Sequence, residues 1–270
     1  MQHVFIVICS KIAINNLFLK YYMKFDPHLF KTSSINLEYI EAGSGDPVLF
    51  LHGLGYKGTT YNEVVDKISQ SHHVYAPNLH FSIHAQAISS HEDYVDVLQK
   101  FIQAKKLKGI TIIGHSFGGG IALRLAESNP NVSRLILTGT VGLPISYSIA
   151  QFSFLLILKT WHELKYKSRF LILARLVWDF SLFTIKSLPQ FLKMTQAVTD
   201  MTNKEHIRYQ NIHIPTLLLW GKNDEIFPQS YAERLNQKLT NSKLVIVNGN
   251  HDWILFEYLE FNNLFTEYCK

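Results

Sequence analysis

Three residue types that together carry out acyl transfer, a serine, a histidine and a carboxylate, occur in this chain just where strand patterns end. The serine is Ser116. It lies in Thr111-Ile112-Ile113-Gly114-His115-Ser116-Phe117-Gly118-Gly119-Gly120, an apolar β-type run that enters Gly-x-Ser-x-Gly and leaves as a helix. A serine hydroxyl is a weak nucleophile at its own pKa. The turn must therefore hold Oγ clear of the sheet, within reach of a base and near free backbone N–H groups. Gly114 and Gly118 leave room for such a turn, and Gly119 and Gly120 let the helix lie close on the sheet.

A serine of this kind needs a base, an orienting carboxylate and donors for the developing oxyanion. In an open α/β sheet these are sought at the carboxyl ends of the strands. His251, in Gly249-Asn250-His251-Asp252-Trp253 just past the last strand pattern, is the candidate base. Asp224, in Trp220-Gly221-Lys222-Asn223-Asp224-Glu225, is the candidate carboxylate, with Glu225 and Asp252 as neighbours in sequence that could take the role. Glu225 is expected to point away, and Asp252 to sit beside the base rather than across from it. The end of the preceding strand, Leu137-Thr138-Gly139-Thr140, offers no acid. The oxyanion hole is expected to combine the backbone N–H of Phe117 with that of Leu54, whose flanking Gly53 and Gly55 let its amide turn inward. His52 and His115 read as structural, since the base is already supplied.

The elements that must position these groups follow from periodicity. Alternation from Ile35 to Ala42 predicts a half-buried strand, and Pro47 to Leu51 is a continuous apolar run suited to a strand buried on both faces. Then come a helix (Tyr61 to Ser69), a strand (His73 to Ala76), a helix (His91 to Ala104), the serine's strand and helix, and a strand (Arg134 to Thr138). The alternation resumes with Pro215 to Trp220, a helix at Gln229 to Leu239, a strand at Lys243 to Val247 and a helix from Ile254 to Tyr268. Strands alternating with helices give βαβ units and a mostly parallel sheet flanked by helices.

Residues 142–211 do not alternate. They are rich in Phe, Leu, Ile and Trp at helical spacing with a break at Leu188-Pro189, and read as a helical lid inserted after the sixth strand of the main sheet. The chain's net charge of +5 is concentrated there, nine Lys/Arg against four acids between Val141 and Gln210, with the remainder balanced at 17 against 17. This placement, without a dense basic stripe or a recognition motif, argues against a nucleic-acid partner. Phe152, Phe154, Leu155, Leu156, Trp161 and Phe170 are expected to line an acyl pocket, with Lys159, Lys165, Lys167 and Arg169 solvated at its rim. Such a face would associate weakly with anionic membrane surfaces.

At 270 residues and 47% apolar content the chain can bury a large core. Cys9 and Cys269 form neither a metal-ligand spacing nor a disulfide framework, which fits a cytoplasmic location. The thirteen histidines are scattered, so no metal is expected. The apolar run Val4 to Cys9 is broken by Lys11, Asn15 and Asn16, well short of the roughly 20 residues of a membrane span. Residues 1–22 read as an extension, leaving 23–141 and 212–270 as the core.

Taken together, four separated motifs make the chain resemble the α/β-hydrolase fold superfamily, in its serine-nucleophile, esterase- and lipase-like branch. They are His52-Gly53-Leu54-Gly55, Gly114-His115-Ser116-Phe117-Gly118-Gly119, Ile214 to Gly221 leading to Asp224 and Pro228, and Gly249-Asn250-His251 with Glu257 beyond. The resemblance spans Ile35 to the C-terminus. It departs from relatives similar to epoxide hydrolases and dehalogenases, which have an aspartate and a glycine-rich turn where this chain reads Ala76-Pro77-Asn78-Leu79-His80. It implies a catalytic triad of Ser116, Asp224 and His251 and no cofactor, while the apolar lid points to a small-molecule ester substrate with an aliphatic or lipid-like acyl group. The same constellation also serves C–C bond, lactone and amide hydrolysis, and some proteins of the fold are ligand receptors that keep a slow triad. Nothing in the sequence bears on the oligomeric state.

Overall fold

The computed structural model describes residues 24–83, 86–87, 90–145, 147, 151, 154–155, 158–159, 163, 170–186, 188–203 and 207–270. The extension 1–22 thus lies outside the described residues. The main sheet contains eight strands: β1 (Pro27–Lys31), β2 (Asn36–Ala42), β3 (Pro47–Leu51), β4 (His73–Pro77), β7 (Ile110–His115), β8 (Val132–Thr138), β9 (Thr216–Gly221) and β10 (Ser242–Val247). A separate two-stranded pair is formed by β5 (Ser82–Ile83) and β6 (Gln86–Ala87). The spatial order is β1-β2-β4-β3-β7-β8-β9-β10. From β4 to β10 every pairing is parallel, while β2 pairs antiparallel with both β1 and β4.

The continuous apolar runs now have a physical reason. Along each central strand successive side chains alternate between two separate cores. Leu49 and Leu51, Ile112, Leu135 and Leu137, and Leu218 and Trp220 belong to one, whereas Val48 and Phe50, Ile113, Ile136, and Leu217 and Leu219 belong to the other. A strand with helices on both faces must be apolar at every position. The first core is closed by α2 (His91–Ala104), α3 (Phe117–Ser128) and α6 (Gln229–Lys238), and the second by α1 (Asn62–Ile68), α7 (Trp253–Phe256) and α8 (Tyr258–Cys269).

Two elements differ from the sequence expectation. Strand β1 was not legible, because four of its five residues are exposed and only its antiparallel register with β2 makes it a strand. The closing helix is two helices: Glu257 takes φ −111°, ψ 42°, and this bend lets Trp253–Phe256 and Phe261 all reach the same core. Between β8 and β9 lie α4 (Phe170–Lys186) and α5 (Leu188–Asn203), so the Leu188-Pro189 break falls at a helix start, where proline's missing N–H costs nothing. In chain order β8 is the sixth strand of the main sheet. Among the described residues no helix is long and apolar enough to cross a membrane.

Candidate active site

Ser116 stands alone between β7, which ends at His115, and α3, which begins at Phe117. It holds φ 52° and ψ −118°, a left-handed conformation that L-residues adopt only when their surroundings compel it. The glycines supply that compulsion. A Cβ on Gly114 would lie 2.5 Å from the Gly119 Cα, one on Gly118 2.3 Å from the Leu51 carbonyl oxygen, and one on Gly119 1.8 Å from Thr140 Oγ1. Strand and helix therefore pack at backbone distance, and the residue joining them has to turn sharply outward. The Ser116 N–H donates to the Thr138 carbonyl (3.0 Å), which ties the turn to β8.

His251 and Asp224 converge on this serine from the two strands beyond. His251 Nε2 is 3.0 Å from Ser116 Oγ, and His251 Nδ1 is 2.9 and 3.0 Å from the two oxygens of Asp224. A carboxylate only accepts, so Nδ1 carries the proton and Nε2 offers its lone pair to the hydroxyl. The Asp224 carboxylate is itself held, since Oδ1 accepts from the backbone N–H groups of Ile226 (2.9 Å) and Phe227 (2.8 Å). Burial disfavours a charged imidazole, but the charge and hydrogen bond of Asp224 outweigh it and raise the His251 pKa above its ordinary value. The ring is therefore a stronger base than a free histidine.

The loop Gly53 to Gly55, the candidate oxyanion loop, runs directly against Ser116. A Cβ on Gly53 would lie 3.4 Å from Ser116 Cβ, and Gly55 takes φ +78°, the left-handed region that suits glycine. The amides of Leu54 and Phe117 donate to no protein atom among the described residues; that of Phe117 is one of the orphan donors at a helix start. His52 secures the loop: its Nδ1 donates to the Gly53 carbonyl (2.8 Å) and its Nε2 accepts from the Leu79 N–H (2.8 Å). Burial lowers the His52 pKa to about 4, which keeps it neutral and bridging. His115, likewise lowered to about 4 by burial, accepts from Tyr61 Oη at Nδ1 (2.6 Å) and donates from Nε2 to the His251 carbonyl (3.2 Å). Both rings have the structural surroundings expected of them.

Several participants were not read from the sequence. Glu225 does not point away: its carboxylate accepts from the His251 backbone N–H (3.2 Å) and so grips the base loop. Gly139, at φ +49°, leaves the space in which Asp224 and His251 meet, since a Cβ there would lie 2.9 Å from His251 Nδ1 and 3.0 Å from Asp224 Oδ2. Its only sequence signal was a glycine at the end of a strand. Asp252 is fully buried behind the base, where Lys159 reaches it.

That last contact corrects the expectation for Lys159, which is not solvated at a rim but buried at 7% exposure between Asp252 and Glu163. Asp252 supplies the opposite charge and Glu163, one helical turn further on, accepts a second hydrogen bond, which is why the ammonium can leave water. Phe154 also departs from the acyl-lining role, being 62% exposed, whereas Leu155 is half-buried against the first core. Phe152, Leu156, Trp161, Lys165, Lys167 and Arg169 lie outside the described residues, and Phe170 opens α4. Atoms of His115, His251 and Asp252 that could ligate a metal come within 4.8 Å of one another. These rings and this carboxylate already face protein partners, and the positive charge in that place is the Lys159 ammonium.

Comparison with known proteins agrees with this architecture. The chain is 26% identical over 244 residues to an uncharacterised protein of Mycobacterium tuberculosis, covering 77% of this chain and 70% of that one. It is 25% identical over 243 residues to a 2-hydroxy-6-oxo-2,4-heptadienoate hydrolase of Pseudomonas putida, covering 80% and 86%. The crystal structure of a putative lipase from Acinetobacter baumannii superposes with a TM-score of 0.76 at 23% identity over 94% and 95% of the two chains. Residues 48–263 match the model of the alpha/beta hydrolase family, so a strained serine, a buried histidine and a held carboxylate sit on the fold that family uses, and the chain belongs to it.

Proposed function

We propose that this hydrolase cleaves carboxylic esters of small molecules through an acyl-enzyme, with Ser116 as nucleophile, His251 as base and Asp224 as its orienting acid. The observation that carries the reading is the unbroken line from Asp224 through both nitrogens of His251 to Ser116 Oγ, with steps of 2.9 and 3.0 Å. In the first half-reaction Ser116 Oγ bonds to the carbonyl carbon as its proton passes to His251 Nε2. The carbonyl oxygen gains negative charge and is met by the amides of Leu54 and Phe117. Collapse breaks the ester C–O bond, and the leaving alkoxide takes the proton from His251. Water then attacks the acyl carbonyl, yields its proton to His251, and the acid departs as Ser116 recovers its hydrogen.

Attack on a ketone carbonyl by the same groups would break a C–C bond, a second reading favoured by the name of the Pseudomonas relative. The preference for aliphatic or lipid-like acyl groups, and for weak association with anionic membrane surfaces, rests on the segment between β8 and β9. Phe154, Val177, Trp178, Leu188 and Leu192 are 46–62% exposed there, beside an exposed Lys193. Two of the segment's four acids, Glu163 and Asp179, are buried. Two of its cations, Lys159 and Arg175, are buried as well, so its positive excess is carried by its remaining residues. A cytoplasmic protein working at the inner face of a membrane would use such a surface. No cofactor enters this mechanism.

The deciding experiment combines a fluorophosphonate probe, read by intact mass, with p-nitrophenyl esters of increasing acyl length. The wild-type chain is expected to take up one probe and to turn over esters, and Ser116→Ala to do neither. Stoichiometric labelling of Ser116→Ala would move the nucleophile elsewhere. Labelling without ester turnover would favour the C–C reading, and ligand binding with neither would make the chain a receptor.

A further inference from the structure

Behind the proposed triad lies a second buried set of charges that the acyl-transfer chemistry does not use. Asp252 is the residue after His251 and stands at the start of α7, yet its side chain caps no helix N–H. Its carboxylate turns inward instead. Oδ2 accepts from Lys159 Nζ and from Tyr56 Oη (2.7 Å), and Oδ1 faces His115 Nε2 at 3.5 Å. Lys159 Nζ also donates to Glu163 (2.6 Å) and to Tyr56 Oη (2.6 Å). Tyr61 Oη extends the set, accepting from the Gly53 N–H (3.3 Å) and meeting His115.

The connectivity of this set is specific. Asp252 adjoins the base His251, His115 adjoins the nucleophile Ser116, and Tyr56 and Gly53 flank Leu54 of the oxyanion loop. Lys159 and Glu163 belong to the segment between β8 and β9, whereas the other groups lie at the end of β7 or in the connections that follow β3 and β10. One ammonium therefore ties that segment to the neighbours of three reacting parts at once. Such an arrangement is costly, because an apolar set of the same volume would be as stable or more so. Orientation is what it supplies in return.

We propose that Asp252 and Lys159 form a positioning pair for His251, in which the ion pair fixes the base loop against the segment between β8 and β9 and sets the field in which the imidazole works. The proposal rests on His251 being the base. Asp224, Asp252 and Lys159 act on its ring, with Glu163 beyond Lys159, neutral His115 tilted against it at 5.1 Å between ring centres, Tyr56 and Tyr61 behind, and Glu225 on its backbone N–H. Burial works against the charge on Asp252, but the Lys159 ammonium outweighs it and holds that carboxyl well below its usual range. Burial pushes the Glu163 carboxyl up, against the pull of the Lys159 ammonium. Asp252 raises the affinity of His251 for a proton and Lys159 lowers it.

Opposite charges acting on one base give a signature that packing alone does not. The measurement is the acid limb of kcat/KM for a p-nitrophenyl ester in Asp252→Asn, Lys159→Gln and the double variant, with fluorophosphonate titration at alkaline pH counting folded active sites. Asp252→Asn is expected to move the limb to lower pH and Lys159→Gln to higher pH. The loss of kcat in the double variant is expected to be no larger than in the worse single one, because either change alone breaks the tie. Limbs that stay put or shift in the same direction, or losses that add, overturn the proposal. If one chain does not fold, the sign of the shift in the other decides. Failure of the proposed site itself shows separately, as a wild-type chain whose Ser116 takes no probe.

Discussion

Replacing Gly139 by Ala tests whether the meeting of acid and base depends on a space the backbone keeps open. Two costs are separable. A Cβ in the left-handed region costs about 1–2 kcal/mol of stability, which for a chain of this size lowers Tm by roughly 2–4 °C per kcal/mol. The second cost is local. The new Cβ would lie 2.9 Å from His251 Nδ1 and 3.0 Å from Asp224 Oδ2, where ordinary contact begins near 3.4 Å, so the pair must give way by about half an ångström. Since about 1 Å of misplacement costs on the order of 10²-fold in rate, kcat is expected to fall roughly 10- to 100-fold. Gly109 provides the control. It has φ +63°, and a Cβ added there would meet nothing within 4 Å, so Gly109→Ala incurs the backbone cost alone. The assay is ester turnover and thermal unfolding of both variants side by side. Similar Tm losses with a turnover defect confined to Gly139→Ala are expected, whereas Gly139→Ala turning over as fast as Gly109→Ala would refute the reasoning.

Asp224→Asn is expected to leave the fold intact and to lower kcat on the scale of about 10⁴, as neutralising an orienting carboxylate does in another serine hydrolase; near-normal turnover would shift the role to a neighbouring acid. Acid should also weaken the fold. His52 and His115 bind protons only at about pH 4 when folded but at about 6.5 when unfolded, so stability is complete above the unfolded value and is lost as pH falls from there towards 4. His251, raised, acts in the opposite sense, stabilising below its ordinary value and less as pH rises through its folded one. Burial lowers His80 and the half-exposed His72 as well, so four depressed rings stand against the raised His251 and Glu163, and urea unfolding at pH 5 should give a lower free energy than at pH 7; equal values would contradict it. Sedimentation with anionic vesicles is expected to retain the chain at low salt, with Trp178→Ser and Leu192→Ser weakening retention. Indifference to lipid charge and to salt would return that surface to plain solubilising duty.

Local pattern was enough to reveal the strand-turn-helix around Ser116, because the geometry there is imposed by glycines adjacent in sequence. Apolar runs marked the central strands for a related reason: burial on both faces leaves no polar position to confuse the period. The candidate acid and base could be named because each follows its own strand, and the carboxyl ends of parallel strands share one edge of the sheet. What the sequence could not express is which charges meet across it. Lys159 read as a rim lysine, since nothing near it in sequence except Glu163 pairs with it; Asp252 and Tyr56, its other partners, are 93 and 103 residues away. Glu225 and Gly139 matter only through contacts with a loop 26 or more residues distant, one by holding the His251 amide and the other by staying out of the way of its ring. Periodicity and motif spacing are properties of neighbours along the chain, while the pairing of buried charges and the clearance around a ring are properties of neighbours in space, and these were decided only when the sheet brought the loops together.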